Sequence, residues 1–171
     1  MTGVDTRTDI QALSGRRALI SGGSSGIGLS IARALNRADV TVVILDRAPP
    51  VTLPEGMEFI RTDLRRQTQV DAAFEQLHAA GQLPDILISN AGCGIHERLS
   101  EGDPGKWAEV IDTNLMGALR LLRAFVPTMQ DKGGDVVFVT SVAAGQAYPW
   151  GGVYAASKVA LDTVAETLRL E

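Results

Sequence analysis

Three side chains late in this chain have the types and spacing to move a proton at one carbon–oxygen centre. They are Ser141, Tyr154 thirteen residues on, and Lys158 four residues after that. A Tyr and a Lys four apart on a helix stand on one face, one turn apart. An ammonium beside a phenol favours the phenolate, so Tyr154 can give a proton to an alkoxide or remove one from an alcohol near neutral pH. Ser141 adds a hydroxyl donor to the same oxygen. Alone, Y-x-x-x-K is weak evidence, because such pairs are common on helix surfaces. Its meaning depends on the elements that position it.

Those elements alternate between strand and helix. Arg17–Ser21 is a short apolar strand followed by SGGSSGIG, with Gly22, Gly26 and Gly28 leading into an apolar-periodic helix. A glycine turn between strand and helix lets backbone amides approach a pyrophosphate, whose charge the helix N-terminus favours. The spacing is G-x-x-x-G-x-G, so the generic G-x-G-x-x-G fingerprint is not matched. Val40–Leu45 is a second strand, ending at Asp46, eighteen residues beyond Gly28. A carboxylate there suits the ribose hydroxyls of NAD and repels the 2′-phosphate of NADP, although Arg47 follows and can turn toward that phosphate. Met57–Arg61 is a third strand leading to Asp63-Leu64, Gln67–Ala80 an amphipathic helix, and Ile86–Ser89 a fourth strand ending in Asn90-Ala91-Gly92. Gly105–Gln130 reads as one long helix with Trp107, Val110, Ile111, Leu115, Leu119, Leu122, Phe125 and Val126 inward. Asn114 lies among these apolar neighbours, as a satisfied core amide or as part of a site. Asp135–Thr140 is a fifth strand that delivers Ser141, and a last helix runs from near Gly152. Such alternation requires parallel strands with helices on both faces, and a site at the carboxyl ends of the strands.

Composition narrows the class. The chain has 171 residues, 45% apolar and 21% charged, which suits one domain. The net charge of −4 comes with no basic run, so nucleic acid is not an expected partner. Residues 1–15 read as a loose polar leader without a secretory signal, and no apolar run is long enough to span a membrane. The lone Cys93 excludes an intrachain disulfide. A cytoplasmic setting is expected, and no metal site. His96 has no partner at useful spacing and reads as a loop residue.

Taken together, the motifs resemble those of the short-chain dehydrogenases/reductases. The matches are S-G-x-x-x-G-I-G at Ser21–Gly28, Asp63-Leu64, N-A-G at Asn90–Gly92, Asn114, Ser141 and Y-x-x-x-K at Tyr154–Lys158, all in family order. They cover the chain from about Arg16 onward, with Ser21 standing where Thr is usual. The resemblance implies a Rossmann-type doubly wound α/β sheet in the order 3-2-1-4-5. It also implies hydride transfer between nicotinamide and a secondary alcohol or ketone. In that reading Gly22, Gly26 and Gly28 line the pyrophosphate and Ile27 borders the nicotinamide. Asp46 binds the ribose, with NAD(H) preferred and NADP(H) permitted. Asp63 and Leu64 meet the adenine, and Asn90 with Ala91 and Gly92 holds the cofactor loop. Tyr154 is the acid/base, Ser141 orients the carbonyl, Lys158 anchors the ribose, and Asn114 positions a water behind Lys158.

Family members continue with two further strands and a substrate-binding loop, so the chain is expected to be incomplete at its C-terminus, with the fifth strand left as a sheet edge. The alternative that follows is a catalytically inactive nucleotide-binding or interaction module. Within the family, Glu101–Trp107 and Tyr148-Pro149-Trp150 resemble polyol dehydrogenases, while 3-oxoacyl reductases share the remaining pattern. Trp150 either stacks on a substrate or packs beneath its loop. Surplus apolar positions on the two long helices imply a homodimer or homotetramer.

Overall fold

Successive side chains on a strand point to opposite sides, and in this chain both sides are apolar. In the computed structural model, which describes residues 12–171, Arg17–Ser21 (β1) and Thr41–Asp46 (β2) send Leu19, Val43 and Leu45 to one core and Ala18, Ile20, Val42 and Ile44 to the other. A strand buried on both faces belongs inside a parallel sheet covered by helices. Met57–Arg61 (β3), Ile86–Ser89 (β4) and Asp135–Phe138 (β5) complete it, all parallel, in the order β3-β2-β1-β4-β5. This is the doubly wound order expected from the sequence.

Gly26–Arg37 (α1) covers one face, packing Ala32, Ile31 and Leu35 on the second core. Gln67–Ala79 (α2) and Gly117–Gln130 (α4) cover the other, through Val70, Ala73 and Leu77 and through Leu121, Phe125 and Met129. Gly81, with φ +66, ends the α2 region in the left-handed conformation that glycine tolerates. Gly152–Leu170 (α5) lies beside α4 and contributes Leu168 to the same core. No helix among the described residues is long and apolar enough to cross a membrane.

The long helix read from Gly105 to Gln130 is not uniform. It is Pro104–Ile111 (α3), a π-helical turn at Asp112–Met116, then α4. Asp103 caps its start by accepting from the Gly105 N–H at 2.8 Å. A π-turn inserts a residue, and so rotates the helix before it relative to the helix after it. The core-facing stripe of α4 is Ala118, Leu121, Phe125 and Met129, whereas Leu119 and Leu122 are only half-buried. The strand read as Asp135–Thr140 ends at Phe138, with one further bond from the Val139 N–H to the Ser89 carbonyl of β4 at 2.9 Å. β5 is an edge with Val137 45% exposed. Residues 1–11 of the expected leader lie outside the described residues. Within its remainder, Ser14 and Gly15 bond to Asp39, the side chain at 2.7 Å and the backbone at 2.9 Å.

Candidate active site

The carboxyl ends of β1, β2, β4 and β5 open onto a cleft of about 630 Å³. Its floor begins where β1 meets α1. Gly22 and Gly26 have φ of +67 and +52, which L side chains rarely adopt. A Cβ on Gly28 would lie 2.2 Å from the Gly22 carbonyl oxygen and 2.5 Å from Asn90 Nδ2, so Gly28 lets α1 seat on the turn. Gly26 faces open space, and Ile27 is 65% exposed in the cleft. Ser25, the N-cap of α1, makes no side-chain cap. Among the described residues no protein acceptor meets the N–H groups of Gly26, Ile27 and Gly28. Three free donors at the positive end of a helix form a seat for an anion.

Beyond the turn, Asp46 accepts from the Ser24 N–H at 3.1 Å and from the Arg47 N–H at 2.7 Å. Arg47 and Asp63 also line the cleft. The Asp63 carboxylate is gripped by Arg65, whose Nε and Nη2 donate at 2.9 and 2.8 Å, while Arg65 also bonds Glu109 of α3. The Arg65 guanidinium holds the Asp63 carboxyl down at about 2, against the opposing effect of burial. Leu64 lines the cleft and is otherwise packed in the core.

Ser21 does not face the cleft. It is 1% exposed, and its Oγ accepts from the Asn90 and Ala91 N–H groups at 3.0 and 3.1 Å. Asn90 Nδ2 returns the contact by donating to the Ser21 and Gly22 carbonyls at 2.9 and 3.0 Å. The ends of β1 and β4 are thereby locked together, with Ala91 and Gly92 on the cleft wall. Asn114 is 1% exposed and lies behind that wall. It exchanges two hydrogen bonds with the Cys93 backbone, and its Nδ2 also donates to Ser157 Oγ at 2.9 Å. Ser157 Oγ in turn donates to the Tyr154 carbonyl at 2.7 Å.

Tyr154 and Lys158, one turn apart on α5, both line the cleft. Lys158 is 4% exposed; its Nζ donates to the Val139 carbonyl at 2.8 Å and lies 6.0 Å from the centre of the Tyr154 ring. Burial pushes its ammonium below the usual lysine range, opposed by Asp162 and Cys93. Ser141 lies just past Thr140 on the cleft wall, but is not itself part of the lining. Its Oγ accepts from the Ala143 N–H at 3.2 Å, capping the short turn Val142–Ala144 and leaving its own hydrogen free to donate.

His96 has no part in the cleft lining. It packs edge-on against Tyr148 and Trp150, with ring centroids 5.6 and 6.4 Å apart. Trp150 is 56% exposed with φ +67, uncommon for a bulky residue. The cleft also recruits residues the motifs do not single out: Arg65, Glu109, Thr113, Val139 and Thr140. Arg65 stands two places from Asp63, and Ser157 directly precedes Lys158; adjacency to a motif was the available signal for both.

A family model for short chain dehydrogenases matches residues 16–171. Ketoacyl reductase HetN of Nostoc sp. is 31% identical over 169 residues, covering 93% of this chain and 59% of HetN. A gluconate 5-dehydrogenase from Burkholderia cenocepacia, solved in complex with NADP and tartrate, superposes with a TM-score of 0.84 at 31% identity, covering 91% of this chain and 66% of that one. The ligand-free aldohexose dehydrogenase AldT of Thermoplasma acidophilum gives a TM-score of 0.89 at 24% identity, over 94% of this chain and 62% of that one, a likeness of fold. The chain thus spans roughly three-fifths of the length of these relatives.

Proposed function

Because the chain belongs to the short-chain dehydrogenase family, we propose that it supplies the cofactor cleft and the acid/base group of an oxidoreductase interconverting a secondary alcohol and a ketone. The observation that carries this reading is a single cleft with three unpartnered N–H donors of α1 in one wall and Tyr154 with Lys158 in another. The residues present fit a nicotinamide dinucleotide. Gly26 leaves open space, the α1 donors suit a pyrophosphate, and Asp46 keeps lone pairs for ribose hydroxyls. The bound nicotinamide would supply the hydride acceptor or donor.

The chain's own residues do the remainder. Tyr154 holds the proton that leaves the alcohol or reaches the alkoxide. Lys158, largely desolvated and one helical turn from Tyr154, would anchor the cofactor ribose. The free hydroxyl hydrogen of Ser141 orients the substrate oxygen. Asn114 fixes the Cys93 backbone and, through Ser157, the first turn of α5 that carries Tyr154. Asp46 favours NAD(H) by repelling a 2′-phosphate, with NADP(H) admitted through Arg47. The substrate is a small alcohol or ketone of polyol or 3-oxoacyl type.

Self-association is part of the proposal. Leu119, Leu122 and Val126 of α4 and Val164 and Leu168 of α5 line a groove of about 410 Å³. An isologous contact through these helices would bury it. Light scattering tests this, a monomer at micromolar concentration being the contrary result. The function itself is tested by titrating reduced cofactor into the protein and following its consumption across polyol and 3-oxoacyl substrates.

A further inference from the structure

We propose that Arg120 is a positioning residue, a brace that holds the π-turn in register and so sets Asn114 behind Lys158 and Tyr154. The inference rests on the oxidoreductase reading above and extends it to a residue outside the cleft. Arg120 sits on the first turn of α4 with its side chain 18% exposed. Its Nη1 donates to Asp112 Oδ1 at 2.7 Å and to the Leu64 carbonyl at 3.0 Å. Asp112 opens the π-turn, and Leu64 belongs to the cleft wall after β3. One guanidinium therefore ties the start of the π-turn, eight residues away, to the cleft wall that follows β3.

The tie has a purpose because a π-turn is rarely favoured by itself. In an unbroken helix, positions 114, 121 and 125 would fall on one face, since seven and eleven residues both come close to whole turns. Leu121 and Phe125 are needed in the sheet core. Asn114 is needed elsewhere, against Cys93 and Ser157. The inserted residue resolves the conflict by rotating the segments apart. Gly117 keeps the junction close, since a Cβ there would lie 2.9 Å from Leu64 Cβ. A charge-assisted bond with limited solvent access is well suited to hold such a turn. Downstream, Asn114 Nδ2 donates to Ser157 Oγ, and Ser157 directly precedes Lys158 and donates to the Tyr154 carbonyl, so a shift of the amide reaches the turn that carries both.

The test compares Arg120→Met, Asp112→Asn and Arg120→Lys in the full protein by amide hydrogen exchange and by turnover. The Cys93 N–H, which Asn114 Oδ1 accepts, is the reporter; the Leu19 and Ile20 amides of β1 report global stability. Arg120→Met is expected to speed Cys93 exchange about tenfold or more with β1 unchanged, and Arg120→Lys to restore part of the protection. The same variant should lower kcat and move its pH profile while the cofactor Kd stays within about twofold. Should Arg120→Met not fold, Asp112→Asn, partly exposed and milder, makes the same comparison. Unchanged Cys93 exchange, or exchange rising only in step with β1, overturns the brace. So does a variant with loosened Cys93 but an unmoved kcat profile. If the unaltered protein shows no turnover, the oxidoreductase reading fails, and the exchange comparison alone decides whether Arg120 holds the turn.

Discussion

Asn114 binds the Cys93 backbone in both directions, its Oδ1 accepting from the N–H at 2.8 Å and its Nδ2 donating to the carbonyl at 2.9 Å. A buried amide with two such contacts to the segment after β4 is a fastener: it joins the helix layer to the cleft wall. Its remaining donor reaches Ser157, next to Lys158, so the wall and the acid/base helix are held by one side chain. The proposed chemistry depends on that rigidity, because a proton carrier works only at hydrogen-bond distance from its substrate.

The glycine turn separates packing from binding. Gly28→Ala puts a methyl 2.2 Å from a backbone carbonyl and should destabilise the fold by about 1–3 kcal/mol or more. Gly26→Ala meets no atom, and its positive φ costs about 1–2 kcal/mol. Urea denaturation should therefore rank Gly28→Ala as the worse variant. The opposite ranking would show that the turn is not packed as described.

Acid sensitivity should trace in part to Asp63. Its folded value, about 2, lies below that of an unfolded aspartate because Arg65 holds the charged form. The native state thus binds fewer protons than the unfolded one between roughly pH 4 and pH 2, and stability is lost as pH falls through that interval. Asp63→Asn should be less stable than the parent at neutral pH, with the difference shrinking toward pH 2. A difference constant with pH contradicts the Arg65 pairing.

Lys158 gives a dependence of the same sign at the alkaline end. Burial lowers its folded value beneath that of an unfolded lysine, so just below about pH 10.4 the unfolded state holds more protons. The stability of the parent relative to Lys158→Met should then rise with pH as it approaches that value. A flat difference between the two denaturation curves would mean that Lys158 is solvated, and a falling one that a partner holds it charged.

Cofactor choice tests the end of β2. NADH should bind more tightly than NADPH, and Asp46→Ala should narrow the gap by removing the repelling charge. Arg47→Ala should widen it. Tighter NADPH binding by the parent, read from the fluorescence of the reduced nicotinamide, would reverse the roles of these two neighbours.

Much of this arrangement was legible from residue order. β1, β3 and β4 fall where apolar runs end in Ser21, Arg61 and Ser89, because a short parallel strand is bounded by its turns. That Tyr154 and Lys158 share one helix face follows from their spacing, whereas their place in a site needed the other motifs beside it. The π-turn was not legible, since one inserted residue leaves no signature in an apolar helix. α4 carries two overlapping stripes, Leu119-Leu122-Val126 and Leu121-Phe125-Met129; the second is wholly buried against the sheet, and of the first only Val126 is. The commitment of Asp63 to Arg65, and of Ser21 to Asn90, likewise depends on where loops from distant strands meet.

In the proposed reaction Tyr154 carries the proton of a nicotinamide-dependent oxidation or reduction. The direct measurement is cofactor consumption by the complete protein and by its Tyr154→Phe variant, on the best substrate of a polyol and 3-oxoacyl panel. Reduced-cofactor titration is run alongside. Phenylalanine removes the hydroxyl and little else, so turnover should fall about 10²–10⁴-fold while cofactor affinity is retained. A variant that binds cofactor and still turns over at near the parent rate would contradict the account and move the acid/base role to another group.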